Sequence, residues 1–249
     1  LPNLFDEADR IKISVAFTWD LPNAEILYNA WKHVAPCEIG GPATGQKGDL
    51  FTPGEFLKHG YVITSRGCNN RCWFCSVWKR EGNVHELPIT DGWNITDDNL
   101  LACSQQHIDA VFEMLKRQPH KPMFTGGLEA KLLTPSLALK FRELKPDTMF
   151  FAYDTQDDLE PLIDAGKMLF NSGFSKASHV LRAYVLIGYP SDTFDKALSR
   201  IHQTWNAGFM PMAMLYRDQK GETKQEWRQF QRQWANPIIT AANCKLICA

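Results

Sequence analysis

Short apolar runs alternate with amphipathic stretches along most of this chain. From Tyr61 onward, runs rich in aromatic and β-branched residues are each followed by a segment whose apolar residues recur at helical spacing. Strands that alternate with helices in this way indicate a parallel sheet, and therefore an α/β fold. The predicted strands of this region lie at residues 61–65, 121–125, 148–153, 181–190 and 209–215.

A helix is predicted between the first two of these strands. Thr96 is a favourable N-cap residue, and Asp97 and Asp98 would lie near the positive end of the helix dipole. The apolar spacing over residues 101–115 continues that pattern. Residues 76–94 show no period, and their length is that of a functional loop.

Smaller units flank this central region. Residues 11–41 predict a short β-α-β segment that closes at a Gly-Gly-Pro turn. At the other end, Thr223 and Glu226 match a capping box, which predicts a helical tail. We therefore expect three parts, namely a lead-in and linker over residues 1–60, the α/β region over 61–217, and the tail over 218–249.

Composition and charge narrow the class of protein. The chain has 249 residues, of which 44% are hydrophobic and 22% are charged, a normal balance for a globular core. Its formal net charge of −1 gives no electrostatic case for a nucleic-acid partner. No apolar run is long enough to cross a membrane and no signal peptide is visible, so we expect no membrane partner and a cytoplasmic location. Seven cysteines, an odd number, argue against a disulfide framework.

Three of these cysteines form one tight group directly after the first predicted strand. Cys68, Cys72 and Cys75 stand at C-x3-C-x2-C spacing, and thiolates are soft ligands that select iron–sulfur clusters, zinc or copper(I). A four-iron cluster normally takes one cysteine on each iron, so three thiolates would leave one iron open to another ligand. A zinc-stabilised binding module, with His85 as the fourth ligand, is one alternative. A non-catalytic iron–sulfur scaffold or electron carrier is another.

With Phe74 included, the motif reads C-x3-C-x-aromatic-C and resembles the signature of the radical S-adenosylmethionine (radical SAM) enzymes. The later barrel region is similar to the cobalamin-type members, although their D-x-H-x-x-G motif is absent. The resemblance implies an incomplete parallel (β/α) barrel, or partial TIM barrel. It also implies a 4Fe–4S cluster on the three cysteines whose open iron binds S-adenosylmethionine. Reductive cleavage of that cofactor would then start radical chemistry on an unidentified substrate.

The resemblance implies further cofactor-binding residues. Gly126 and Gly127, with Glu129 displaced by one inserted residue, resemble the Gly-Gly-Glu turn that meets the amino group of S-adenosylmethionine, here after the second predicted strand. Gly188 matches the region that lies against the adenine. Asp154 follows a predicted strand and would face the active end of a barrel, as a ribose or substrate contact or, alternatively, as a helix cap. A reductant such as flavodoxin or ferredoxin is an expected partner, and Cys103, Cys244 and Cys248 are expected to be ordinary thiols.

Overall fold

The structure, a computed structural model, describes residues 2–3, 7–48 and 51–247, the side chains of residues 245–247 excepted. Its strands are β1 (Ile11–Ser14), β2 (Cys37–Gly40), β3 (Tyr61–Val62), β4 (Ser65–Arg66), β5 (His85–Glu86), β6 (Asn94–Ile95), β7 (Met123–Leu128), β8 (Thr148–Tyr153), β9 (Leu181–Ile187) and β10 (Met210–Leu215). Its helices are α1 (Leu21–Trp31), α2 (Val77–Arg80), α3 (Gln105–Lys116), α4 (Pro135–Leu144), α5 (Leu159–Asn171), α6 (Phe194–Asn206), α7 (Gln225–Ala235) and α8 (Pro237–Ile247).

A six-stranded sheet forms the centre of the fold, in the order β10-β9-β8-β7-β6-β3. Every neighbouring pair in this sheet is parallel. The prediction of an α/β fold with a parallel sheet is therefore confirmed, and the sheet is compatible with a partial barrel. Because all six strands point the same way, the loops that follow them meet at one edge of the sheet.

The start of the sheet differs from the sequence prediction. The predicted strand 61–65 is divided, because only β3 joins the central sheet, whereas β4 turns away and pairs antiparallel with β5. A further strand, β6, lies between β3 and β7 and was missed. With two residues, it is too short to produce a readable period. The strand predicted as second is consequently the third along the chain in this sheet.

The predicted helix start at Thr96 is wrong. Thr96 continues the strand pairing instead, since both its backbone N–H and its hydroxyl donate to the carbonyl of Val62, each over 3.0 Å. The helix α3 begins at Gln105, and Ser104 is its N-cap, accepting a hydrogen bond from the backbone N–H of His107. The acidic pair Asp97 and Asp98 therefore has another role than stabilising a helix dipole.

The core lies between the sheet and its helices. Its centre is an aromatic cluster in which the rings of Phe124 and Phe112 each lie 5.0 Å from that of Phe141. A second buried cluster joins β9 and β10 to the tail, where Trp227 and Trp234 of α7 pack with Cys244 of α8. The predicted helical tail is thus present and packed onto one side of the sheet.

The predicted β-α-β segment is also present, as β1, α1 and β2, with its two strands paired in parallel outside the central sheet. None of the helices in the described part of the chain combines the length and apolar character needed to cross a membrane.

Candidate functional site

The cysteine loop, residues 67–75, follows β4. Its entry is a sharp turn at Gly67, whose φ is +82°, a conformation that favours glycine. A Cβ at this position would collide with the backbone of Gly82 and Asn83. The backbone N–H of Cys68 donates to the carbonyl of Gly82 over 3.1 Å. The loop is thus held against the turn that follows α2.

The three thiols of the loop are partly buried and lie within electrostatic reach of one another. Burial raises the pKa of Cys72, and the neighbouring Cys75, Asp154 and Cys68 raise it further. Burial likewise raises the pKa of Cys75, where the backbone N–H of Val77 acts in the opposite direction. Without a metal, the local environment of Cys72 and Cys75 therefore favours the neutral thiol.

The donor set fits a cluster held by three cysteines, because three thiols of one short loop lie close enough together to interact electrostatically. Within the described residues, however, no group of three or more His, Cys, Asp or Glu side chains is arranged to hold a metal ion. His85 is exposed, and its Nδ1 lies 3.2 Å from the carbonyl of Asn83, so the structure gives it no place beside the thiols.

The segment that follows β6 forms hydrogen bonds with the cysteine loop and the residues just before it through three successive residues, Asp97, Asp98 and Asn99. Asp97 is buried, and its carboxylate accepts hydrogen bonds from the backbone N–H and hydroxyl of Thr64, both over 2.6 Å, and from the hydroxyl of Ser65 over 2.8 Å. Burial raises the pKa of Asp97 despite these hydrogen bonds.

Asp98 and Asn99 contact the cysteine loop itself. The carboxylate of Asp98 accepts from the backbone N–H of Gly67 over 2.8 Å, and burial raises its pKa. The amide nitrogen of Asn99 lies 3.5 Å from the sulfur of Cys68. Sequence analysis missed this role, because the partners are about thirty residues apart and no local pattern connects them.

The glycine pair lies inside β7, where the register with β8 shifts between Phe124 and Leu128. A Cβ at Gly126 would collide with the backbone of Thr96 and Asp97, so this glycine permits the close approach of the preceding loop. Gly127 has a φ of +102°, and a Cβ there would meet no atom within 4 Å. Of the two, only Gly127 borders open space.

Glu129 follows β7 and is linked to the cysteine loop. Its carboxylate accepts a hydrogen bond from the amide of Asn99 over 2.5 Å and forms an ion pair of 2.7 Å with Lys131. Lys131 in turn donates to the side-chain oxygen of Asn70 over 3.0 Å. Asn99 thus lies between Glu129 and Cys68, a link that the sequence did not reveal, and the predicted contact of Glu129 with S-adenosylmethionine stays a prediction.

Asp154 follows β8 and lies close enough to Cys72 and Cys75 to affect the pKa of both thiols. Burial, with the nearby charge of Asp158, raises the pKa of Asp154 to about 7, and Arg200 opposes that shift. The capping role considered for Asp154 belongs instead to Thr155, the N-cap residue, which forms a capping box with Asp158. The Asp154 carboxyl group itself makes no hydrogen bond within the described residues, so it is available to a ligand.

Gly188 has a φ of +72° and donates its backbone N–H to Asp192 over 2.8 Å. A Cβ there would press against the side chains of Leu215 and Trp227, so tail packing alone requires a small residue. Its predicted contact with an adenine stays a prediction. The cofactor-binding role that the resemblance implies for Phe74, the aromatic residue of the cysteine motif, also stays a prediction, and its ring packs edge-on against Trp73 at 5.4 Å.

Trp73 connects the cysteine loop to the strands at the far side of the sheet. Its ring lies 5.7 Å from that of Tyr189 and 5.5 Å from that of Tyr216, residues that follow β9 and β10. The loop that starts beside one edge strand, β3, therefore reaches the strands at the opposite edge. Thiols, Asp154 and Glu129 all lie at the carboxyl ends of the parallel strands, where α/β proteins bind their ligands.

Three curated proteins are similar in sequence, each a ribosomal protein uS12 methylthiotransferase RimO. That of Actinobacillus succinogenes is 26% identical over 152 residues, which are 57% of this chain and 32% of the relative. That of Thiobacillus denitrificans is 27% identical over 172 residues, which are 64% of this chain and 38% of the relative. That of Mannheimia succiniciproducens is 28% identical over 138 residues, which are 51% of this chain and 30% of the relative. RimO belongs to the radical SAM superfamily.

The chain is a relative of radical SAM proteins. The resemblance inferred from the cysteine motif is thereby confirmed at the level of the superfamily. The chain spans about a third of the length of these curated relatives. No family model matches it.

Proposed function

We propose that this chain is a radical SAM enzyme in which Cys68, Cys72 and Cys75 hold a 4Fe–4S cluster. The observation that carries the proposal is the position of three thiols on one loop, at the carboxyl edge of a parallel sheet and beside Asp154. When bound, the cluster would supply the electron that cleaves S-adenosylmethionine and so begins radical chemistry on a substrate. A protein reductant, such as a flavodoxin or ferredoxin, would deliver that electron.

The surrounding residues would bind and orient the cofactor. Asp154 has an uncommitted carboxyl group on the ligand side of β8, which suits a hydroxyl group of the ribose or of the substrate. With a pKa near 7, it can donate or accept a hydrogen bond close to neutral pH. Gly127 gives a ligand close access to the backbone, because no atom occupies the space beside its Cα.

The rest of the fold would shield the reaction. We propose that the six strands curve into a partial barrel, with the cysteine loop across its open end. Contacts of Trp73 with Tyr189 and Tyr216 support this arrangement, because they extend the loop over the far strands. Exclusion of water from such a site protects reactive intermediates from side reactions.

The test is anaerobic reconstitution with iron and sulfide, followed by reduction in the presence of S-adenosylmethionine. We expect about four irons per chain, as for one cubane cluster, and release of 5′-deoxyadenosine. Replacing Cys68, Cys72 or Cys75 with Ala should each abolish both signals, since each change removes one of three ligands. Cys37→Ala is the matched control, because that thiol lies in β2, outside the central sheet.

Three outcomes count against the proposal. Zinc bound in an amount equal to that of the chain, without sulfide, would identify the zinc-stabilised module. Iron and sulfide without any 5′-deoxyadenosine would identify the non-catalytic scaffold or electron carrier. Full iron content in a Cys72→Ala variant would show that the ligand set is wrong.

A further inference from the structure

Cys68 differs from the other two cysteines in its hydrogen bonds. Its sulfur accepts from the backbone N–H of Asn70 over 3.4 Å and from the side-chain amide of Asn99 over 3.5 Å. The same amide donates to Glu129, which pairs with Lys131, and Lys131 donates to the side chain of Asn70. These contacts form a closed ring of five residues, which we call the Cys68 ring.

The amide of Asn99 is fixed in orientation by its two acceptors. Its NH₂ group has two hydrogens, and a sulfur and a carboxylate oxygen lie within reach of the nitrogen. Flipping the amide would place its oxygen against the carboxylate of Glu129, and two acceptors without a proton between them repel. The cost of the observed orientation is that Oδ1 has no hydrogen-bond partner among the described residues.

The position of Asn99 is also fixed. Only 3% of the residue is exposed, and the two residues before it are bound to the entry of the cysteine loop. Because the backbone before Asn99 is held in place and its side chain is buried, the amide cannot follow the sulfur if the sulfur moves. Asn99 thus defines where Cys68 lies relative to Glu129 at the end of β7.

We propose that Asn99 is a positioning residue for the iron–sulfur centre, which orients Cys68 as a ligand and raises the reduction potential of the cluster. This inference rests on the proposed function. A thiolate is a stronger acceptor than a thiol, so both N–H contacts would strengthen when Cys68 ligates iron. Hydrogen bonds to the cluster sulfurs are one of the factors that set its potential, because donated protons stabilise the added negative charge of the reduced state.

The test compares the parent with Asn99→Ser and Asn99→Asp, each reconstituted under one anaerobic protocol. Iron and sulfide are measured first, and the potential is then determined by titration monitored by electron paramagnetic resonance. We expect both variants to have a lower potential than the parent. The decrease should be larger for Asn99→Asp, because a carboxylate adds negative charge beside the sulfur. Asn206→Asp is the matched control, since Asn206 ends α6, at the opposite end of the strands, and should keep the parent's potential.

A second measurement covers variants that hold too little iron for a titration. The rate at which a chelator removes iron is compared between the parent and Asn99→Ser, with circular dichroism as a check that both are folded. Faster loss from the folded variant supports the positioning role, and an equal rate contradicts it.

Different results would overturn the role of Asn99 and the proposed function. Equal potentials in all four proteins would overturn the role of Asn99 while leaving the proposed function intact. Absence of iron and sulfide from the parent itself would overturn the proposed function.

Discussion

The raised pKa of Asp154 leads to a prediction about stability. The pKa lies near 7 in the folded chain, against an ordinary value of 3.8, chiefly because burial penalises the charged form. The unfolded chain therefore loses this proton at a lower pH than the folded chain does. The contribution of Asp154 to stability is fully present below pH 3.8 and is lost as the pH rises towards 7. Asp154→Asn cannot ionise and should escape that loss.

The magnitude follows from linkage. One unit of pKa difference corresponds to about 1.4 kcal/mol, so the full shift is worth about 4 kcal/mol at high pH. Part of that loss is already present at pH 5, which leaves about 2.5 kcal/mol between pH 5 and pH 8. Because Asp154 is partly exposed, solvent will reduce this figure, and we expect a difference of about 1–2 kcal/mol.

The assay is urea denaturation at pH 5 and pH 8, with a chelator present so that the thiols carry no metal. Asp154→Asn should gain stability relative to the parent by the stated amount as the pH rises. Asp157→Asn is the matched control, because it removes an exposed carboxylate from the same turn and should follow the parent. If the parent and Asp154→Asn change in parallel between the two pH values, Asp154 does not titrate near neutrality and its assigned environment is wrong.

Two further predictions concern the packing around the site. Gly126→Ala should destabilise the chain by about 1–3 kcal/mol in urea denaturation and reduce iron retention, because its Cβ would displace the backbone of Asp97. Gly127→Ala should cost only the strain of its positive φ, on the order of 1 kcal/mol, and an equal loss at both positions would contradict the distinction. Cys103→Ala and Cys244→Ala should each cost on the order of 1 kcal/mol and leave the iron content at the parent's level. Loss of iron from Cys244→Ala would mean that the tail carries part of the metal site.

Much of the fold could be predicted because its later strands are long and apolar. The segments 148–153, 181–187 and 210–215 each contain six or seven residues, and β8 in particular is buried along almost its whole length. By contrast, β6 has only two residues, one of them the polar Asn94, and it is followed directly by the polar residues Thr96–Asn99, which resemble a helix start. Local propensity therefore failed to predict the secondary structure of this segment, where tertiary contacts satisfy buried polar groups.

The candidate site could be predicted to the extent that it is local. Cys68, Cys72 and Cys75 belong to one short motif, so their spacing revealed them. Asn99 could not be found in this way, because its partners Cys68 and Glu129 lie about thirty residues away in either direction. Cys248, expected to be an ordinary thiol, lies outside the described residues.

The reach of Trp73 across the sheet has a consequence for the order of maturation. The cysteines are synthesised well before Tyr189 and Tyr216, yet the ring of Trp73 lies against both tyrosines. Contacts between residues so far apart in sequence form only after the intervening chain has been ordered. The contacts of the cysteine loop with the far strands are therefore completed only when β9 and β10 have joined the sheet. In a nascent chain, a cluster of the kind proposed above would meet thiols that still lack these contacts, so we expect the folded chain to be its acceptor.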